Sequence, residues 1–141
     1  MKDMDILKSI AIPLLRWSLG IVYMWFGVLK IVGRSPAADM VAKALEPLPA
    51  ETSVPLIGVI ETVIGLGLLT RTALAATLTL FFMQVAGTFT IVVRRPSKAF
   101  RDGNPLLLTQ EGEFLLKNLI LLSAGLVVAT RAGEPDERIE D

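Results

Sequence analysis

The chain has 141 residues, of which 52% are hydrophobic and 20% charged, with a formal net charge of zero and a mean hydropathy of +0.60. This composition does not fit a soluble domain, and the charge balance supplies no basic field for nucleic acid. The absence of His and Cys excludes a cytochrome b, a metal held by imidazole or thiolate, a disulfide framework and a thiol-based quinone reductase.

Four apolar segments, 10–32, 54–70, 73–93 and 110–130, approach the roughly 20 helical residues that a bilayer core of about 30 Å requires. They predict an all-α protein over 1–141, an integral membrane four-helix bundle forming a single domain. An even number of passes leaves both termini on one side. Lys2 and Lys8 ahead of the first run imitate a secretory signal. The run is too long for that, carries Arg16 and lacks a small-residue cleavage site, so it reads as a retained span.

Between the first two spans, Ser35 and Pro36 form a helix start, and Met40, Val41, Ala44 and Leu45 recur at helical spacing before Pro47 and Pro49. A short interfacial helix is expected there. Only Thr70, Arg71 and Thr72 separate spans two and three, which predicts a tight antiparallel hairpin. Residues 94–108 combine Arg94, Arg95, Lys98 and Arg101 with Pro96, Gly103 and Pro105, the pattern of a basic, turn-rich lid or headgroup contact. Thr109 is the expected N-cap of the fourth span, with Gln110, Glu111 and Glu113 in its first turn. Residues 131–141 read as a short acidic tail. Outside the spans, five basic residues on the terminal side oppose six on the other, so charge does not orient the bundle.

Four ionisable residues fall within the spans: Arg16, Lys30, Glu61 and Lys117. A charge near the bilayer centre costs about 2.5 to 3.5 kcal/mol on insertion scales, so these side chains are expected to face one another, a cavity or a partner. Arg16, Gly20, Tyr23, Gly27 and Lys30 align along one face of the first span, as do Gly58, Glu61 and Gly65 along the second. On the fourth, Glu113, Lys117, Ala124 and Arg131 form a row. At 1.5 Å per residue, Glu61 and Lys117 both lie about 10 Å below the surface that Lys30 marks. The expected site is therefore one polar layer of Lys30, Glu61 and Lys117, supported by Glu113, Gln84 and Asn118. Arg16, about 21 Å from Lys30, belongs to the other half and needs its own partner or snorkels. Trp17, Tyr23, Trp25, Phe26, Phe81 and Phe82 are candidates to line the layer.

Three functions fit such a layer. It can fix helix register in a scaffold or assembly factor, hold a polar headgroup such as a quinone carbonyl, or relay protons in a small transporter. Small exporters usually place their carboxylate in the first span, where this chain has Arg16 and Lys30 instead.

The runs RWSLGIVYMWFGVLK at 16–30 and GVIETVIGLGLLTR at 58–71 resemble the DoxX family of small four-helix bacterial membrane proteins. The run GEFLLKN at 112–118 resembles the related YkgB-like branch. The resemblance extends from residue 16 to about residue 130 and falls on Arg16, Gly20, Gly27, Lys30, Glu61, Gly65 and Lys117. It implies a bacterial inner-membrane accessory of a quinone-linked or oxidative-stress oxidoreductase system rather than an enzyme in its own right; the shared side of the termini is expected to be the cytoplasm. The partners it implies are membrane lipids and a membrane oxidoreductase or further copies of the chain. Quinone is the one cofactor it brings, and no metal is expected.

Overall fold

The computed structural model describes residues 1–132, without the side chains of Ile91 and Val92, and the predicted tail lies outside these residues from position 133 onward. The described chain is helical: α1 (Lys2–Ile31), α2 (Ala38–Ala44), α3 (Ala50–Thr70), α4 (Leu74–Arg94), α5 (Pro96–Ala99) and α6 (Gln110–Thr130). By length and hydropathy α1, α3 and α6 can each cross a membrane, and α4 is apolar over Leu74–Thr90.

Helix starts depart from the hydropathy boundaries because capping and dipole effects, rather than apolarity, decide where a helix begins. Helix α1 begins at Lys2, eight residues before the apolar run, with Asp3 and Asp5 in its first turn complementing the helix dipole. Helix α3 begins at Ala50 instead of position 54, with Pro49 extended at its N-cap and accepting the N–H groups of Thr52 and Ser53. The hairpin after it turns as expected within a few residues, through left-handed Arg71 (φ 59°) and Ala73 (φ 46°).

Helix α1 packs against α3, α3 against α4, α4 against α6 and α6 against α1, closing a ring of helices. Its core contains Leu19 and Tyr23 from α1, Ile64 and Leu68 from α3, Phe81 and Val85 from α4, and Val128 from α6. The closest seam is antiparallel, with Gly27 opposite Gly58 and Gly20 opposite Gly65. A methyl group at Gly27 meets Gly58 O at 2.6 Å, and one at Gly58 meets Gly27 O at 2.7 Å. Small residues permit this backbone approach, which maximises van der Waals contact where lipid supplies no hydrophobic drive.

Other glycines separate packed from open positions. Gly125 faces the Phe81 ring, whereas a methyl at Gly87 meets nothing within 4 Å. Gly87→Ala is accordingly expected to stabilise the protein by about 0.5 to 1 kcal/mol through helix propensity alone. A higher unfolding midpoint in mixed micelles is the expected readout, and a lower one means that α4 has a neighbour at this position.

The connection at 94–108 contains more regular structure than a turn-rich lid. Besides α5, an antiparallel bridge joins Phe100 to Leu108, and Thr109 N–H donates to Ala99 O at 2.9 Å. Thr109 caps α6 as expected, its hydroxyl accepting from Gly112 N–H at 2.9 Å. Gly112 itself abuts Ala99 O, so α6 starts pressed against α5. Across this end, Glu46 lies 3.7 Å from Arg95 and 3.9 Å from Lys98, while Lys98 Nζ donates to Lys43 O at 2.7 Å. These contacts tie the end of α2 and the segment after it to the region of α5. Their exposure makes each ion pair worth at most about 1 kcal/mol.

Candidate functional site

The glycine seam sets the geometry of the polar site. Tyr23, Gly27 and Lys30 follow one another at helical spacing on α1, and Gly58, Glu61 and Gly65 do so on α3. Pressing the glycines together brings Lys30 and Glu61 into contact. Lys30 Nζ donates to Glu61 Oε2 at 2.7 Å, with the two side chains only 3% and 12% exposed. Phe26 adds its ring face 5.9 Å from the ammonium, within the range of a cation–π attraction.

Helix α4 extends this pair. Gln84 Nε2 approaches Glu61 Oε1 at 3.5 Å, and Gln84 Oε1 accepts from Tyr23 Oη at 3.0 Å. Tyr23 in turn packs on Phe81, ring centroids 5.4 Å apart. A chain of donors and acceptors thus runs Tyr23, Gln84, Glu61, Lys30 across three helices. Lys30, Glu61 and Gln84 were expected to meet. The Tyr23 hydroxyl is a further member that the expected layer does not include, although Tyr23 lies two helical turns from Lys30 on the same face.

The sequence-based layer requires correction at α6. Glu113 and Lys117 are exposed and Asn118 is half-buried, while the partners of the Glu61 carboxylate are Lys30 and Gln84. Among the described residues, Glu113 and Lys117 form no ion pair with each other either. The cause is rotation rather than depth. Gly112 and Leu115 are the buried residues at this end of α6, and Glu113 and Lys117 stand about 100° and 140° around the helix from Gly112.

Arg16 has a partner of its own in the other half. It is 6% exposed, and its Nη1 donates to Leu68 O and, at 3.4 Å, to Leu69 O. These carbonyls belong to the last turn of α3, where no following helical N–H is available and the dipole is negative. Arg16 therefore closes the far end of the seam that Lys30 and Glu61 close at the near end.

Of the aromatic candidates, only Tyr23 enters the polar chain. Trp17, Trp25 and Phe26 are 52%, 64% and 48% exposed on the outside of α1. Phe81 is in the core, and Phe82 lines a groove of about 560 Å³ with Val85, Phe89, Arg94 and Leu122. Phe82 and Ala86, which also lines the groove, each stand two positions from Gln84, so the groove faces away from the polar chain.

Chemically, the pair keeps unused capacity. An ammonium has three donors and an ionised carboxylate about four acceptor sites. One donor and one acceptor meet at 2.7 Å, and the Gln84 contact is long. Among the described residues, no group of three His, Cys, Asp or Glu side chains could hold a metal ion. No protein-family model matches the chain, and neither the curated proteins nor the solved structures contain a match to it.

Proposed function

We propose that this chain is an integral membrane accessory protein of the DoxX type that binds a quinone- or lipid-like headgroup at Lys30 and Glu61. In this reading α1, α3, α4 and α6 all cross a bacterial inner membrane, both ends are cytoplasmic, and α2 lies at the opposite interface. The partner is a membrane oxidoreductase whose quinone chemistry the chain serves without catalysing it.

The observation that carries the proposal is the Lys30–Glu61 pair, in which Lys30 binds one carboxylate oxygen at 2.7 Å while the other oxygen of the 12% exposed Glu61 has only the 3.5 Å contact to Gln84. A carbonyl oxygen can accept from Lys30, and a hydroxyl can donate to Glu61. Quinone supplies the redox chemistry, and the protein supplies orientation and a route for protons. Gln84 approaches the carboxylate from its other side, and Tyr23 orients Gln84 by donating to its Oε1.

Titrating purified protein with a short-tailed quinone analogue tests the site. Glu61→Gln is expected to weaken binding about tenfold, the equivalent of about 1.4 kcal/mol. Equal, weak binding by both proteins removes the site. A structural scaffold is the second reading, favoured by the closure of the seam at both ends by Arg16 and by Lys30 with Glu61. It predicts a fixed-stoichiometry partner after mild detergent extraction and no ligand density beside Glu61.

A further inference from the structure

Lys117 lies seven residues into α6, about 10 Å below the start of the helix, and it is exposed, as is Glu113 one turn above it. Ionisable residues within a membrane almost always face protein or water. Ile120, 72% exposed, Ser123 and Val127 continue the same face. Charge complementarity identifies what covers it. The row carries one acid and one base a single turn apart, so a second copy related by a two-fold axis along the membrane normal offers each charge its opposite. Lysine side chains lean toward the helix N-terminus, which raises the Lys117 ammonium toward Glu113 of the second copy. Ser123 and the neighbouring half-buried Ala124 are small enough for close approach of two helices.

We infer that the chain forms a parallel homodimer through this face of α6, with Glu113 of each copy paired to Lys117 of the other. The inference is independent of the ligand site, because neither residue belongs to the Lys30–Glu61 chain.

The absence of Cys permits a direct test in native membranes. Ile120→Cys is expected to give an oxidative cross-link at twice the 15.3 kDa mass, and Val63→Cys, exposed on α3, is expected to give none. Lys117→Glu produces an all-acidic face and Glu113→Lys an all-basic one. Carrying Ile120→Cys and different tags, each is expected to lose self-cross-linking and the two to cross-link with each other when co-expressed. No cross-link at Ile120→Cys, an equal cross-link at Val63→Cys, a product with another protein, or no preference between the acidic and basic variants overturns the dimer. Since Ile120 is lipid- or partner-facing, its substitution leaves the fold intact.

Discussion

Glu61→Ala is expected to destabilise the protein by about 3 to 5 kcal/mol, the cost of leaving a buried charge without its partner. Lys30 is 3% exposed, and its ammonium donates to the Glu61 carboxylate at 2.7 Å. Without the carboxylate, its ammonium must drag water inward or pull α1 away from α3. Lys30→Met is expected to be costly for the complementary reason, since Gln84 alone, at 3.5 Å, cannot compensate the carboxylate. The double variant Lys30→Met/Glu61→Leu, in contrast, is expected to lie close to the parent or above it, because replacing a whole buried ion pair by apolar side chains is often neutral or stabilising. Unfolding by denaturing detergent in mixed micelles measures all four proteins, and the double-mutant cycle isolates the pair. If Glu61→Ala leaves the midpoint unchanged, the pair is solvated through the 12% exposed edge of Glu61 and contributes little. If the double variant is as unstable as the singles, packing at these positions matters more than charge. Loss of quinone binding in a stable double variant separates the role in ligand binding from the role in stability.

The part of this site that was legible in the sequence is the part fixed by two periodicities at once. Gly27 with Lys30 and Gly58 with Glu61 repeat the same three-residue step on two antiparallel helices, so bringing the glycines together determines both the depth and the angle of the charges. Lys117 shared the depth and not the angle. Helix rotation at that end is set by Gly112 against Ala99 O, and Ala99 belongs to α5, a one-turn helix within a segment that reads as loop. Arg16 was recognisable as needing a partner, but that partner is a pair of backbone carbonyls, and every residue offers one of those. The end of α3 at Thr70 was legible, but the acceptors become specific only once the α1–α3 register sets Arg16 beside Leu68 and Leu69. Tyr23 was visible as an aromatic on the seam. Its hydroxyl depended on where α4 places Gln84, which no spacing within α1 reveals.

Enlarging the glycines of the seam is the second large expected effect. A methyl group at Gly27 meets Thr62 Oγ1 at 2.5 Å, Gly58 O at 2.6 Å and Thr62 N at 2.6 Å, and one at Gly65 meets Gly20 O at 2.7 Å and the backbone of Met24. Most of these neighbours are backbone atoms of a facing helix and cannot rotate aside, so the helices themselves must separate. Overpacking of this kind costs about 1 to 3 kcal/mol per site, and Gly27→Val and Gly65→Val are expected at or above the upper end. Their combination is expected to exceed the sum of the singles. Separating α1 from α3 lengthens the Lys30–Glu61 contact at one end and the reach of Arg16 to the last turn of α3 at the other, so the polar contacts fail together with the packing. The unfolding midpoint of the pair, compared with each single and with Gly87→Ala, gives the coupling directly. Strict additivity overturns the coupled seam, because Gly27 and Gly65 then act as independent packing sites and the charges at its ends are held by something other than helix approach. A coupling that disappears in the Lys30→Met/Glu61→Leu background assigns it to the ion pair. A coupling that persists there assigns it to Arg16, whose carbonyl acceptors on α3 are unchanged by that substitution.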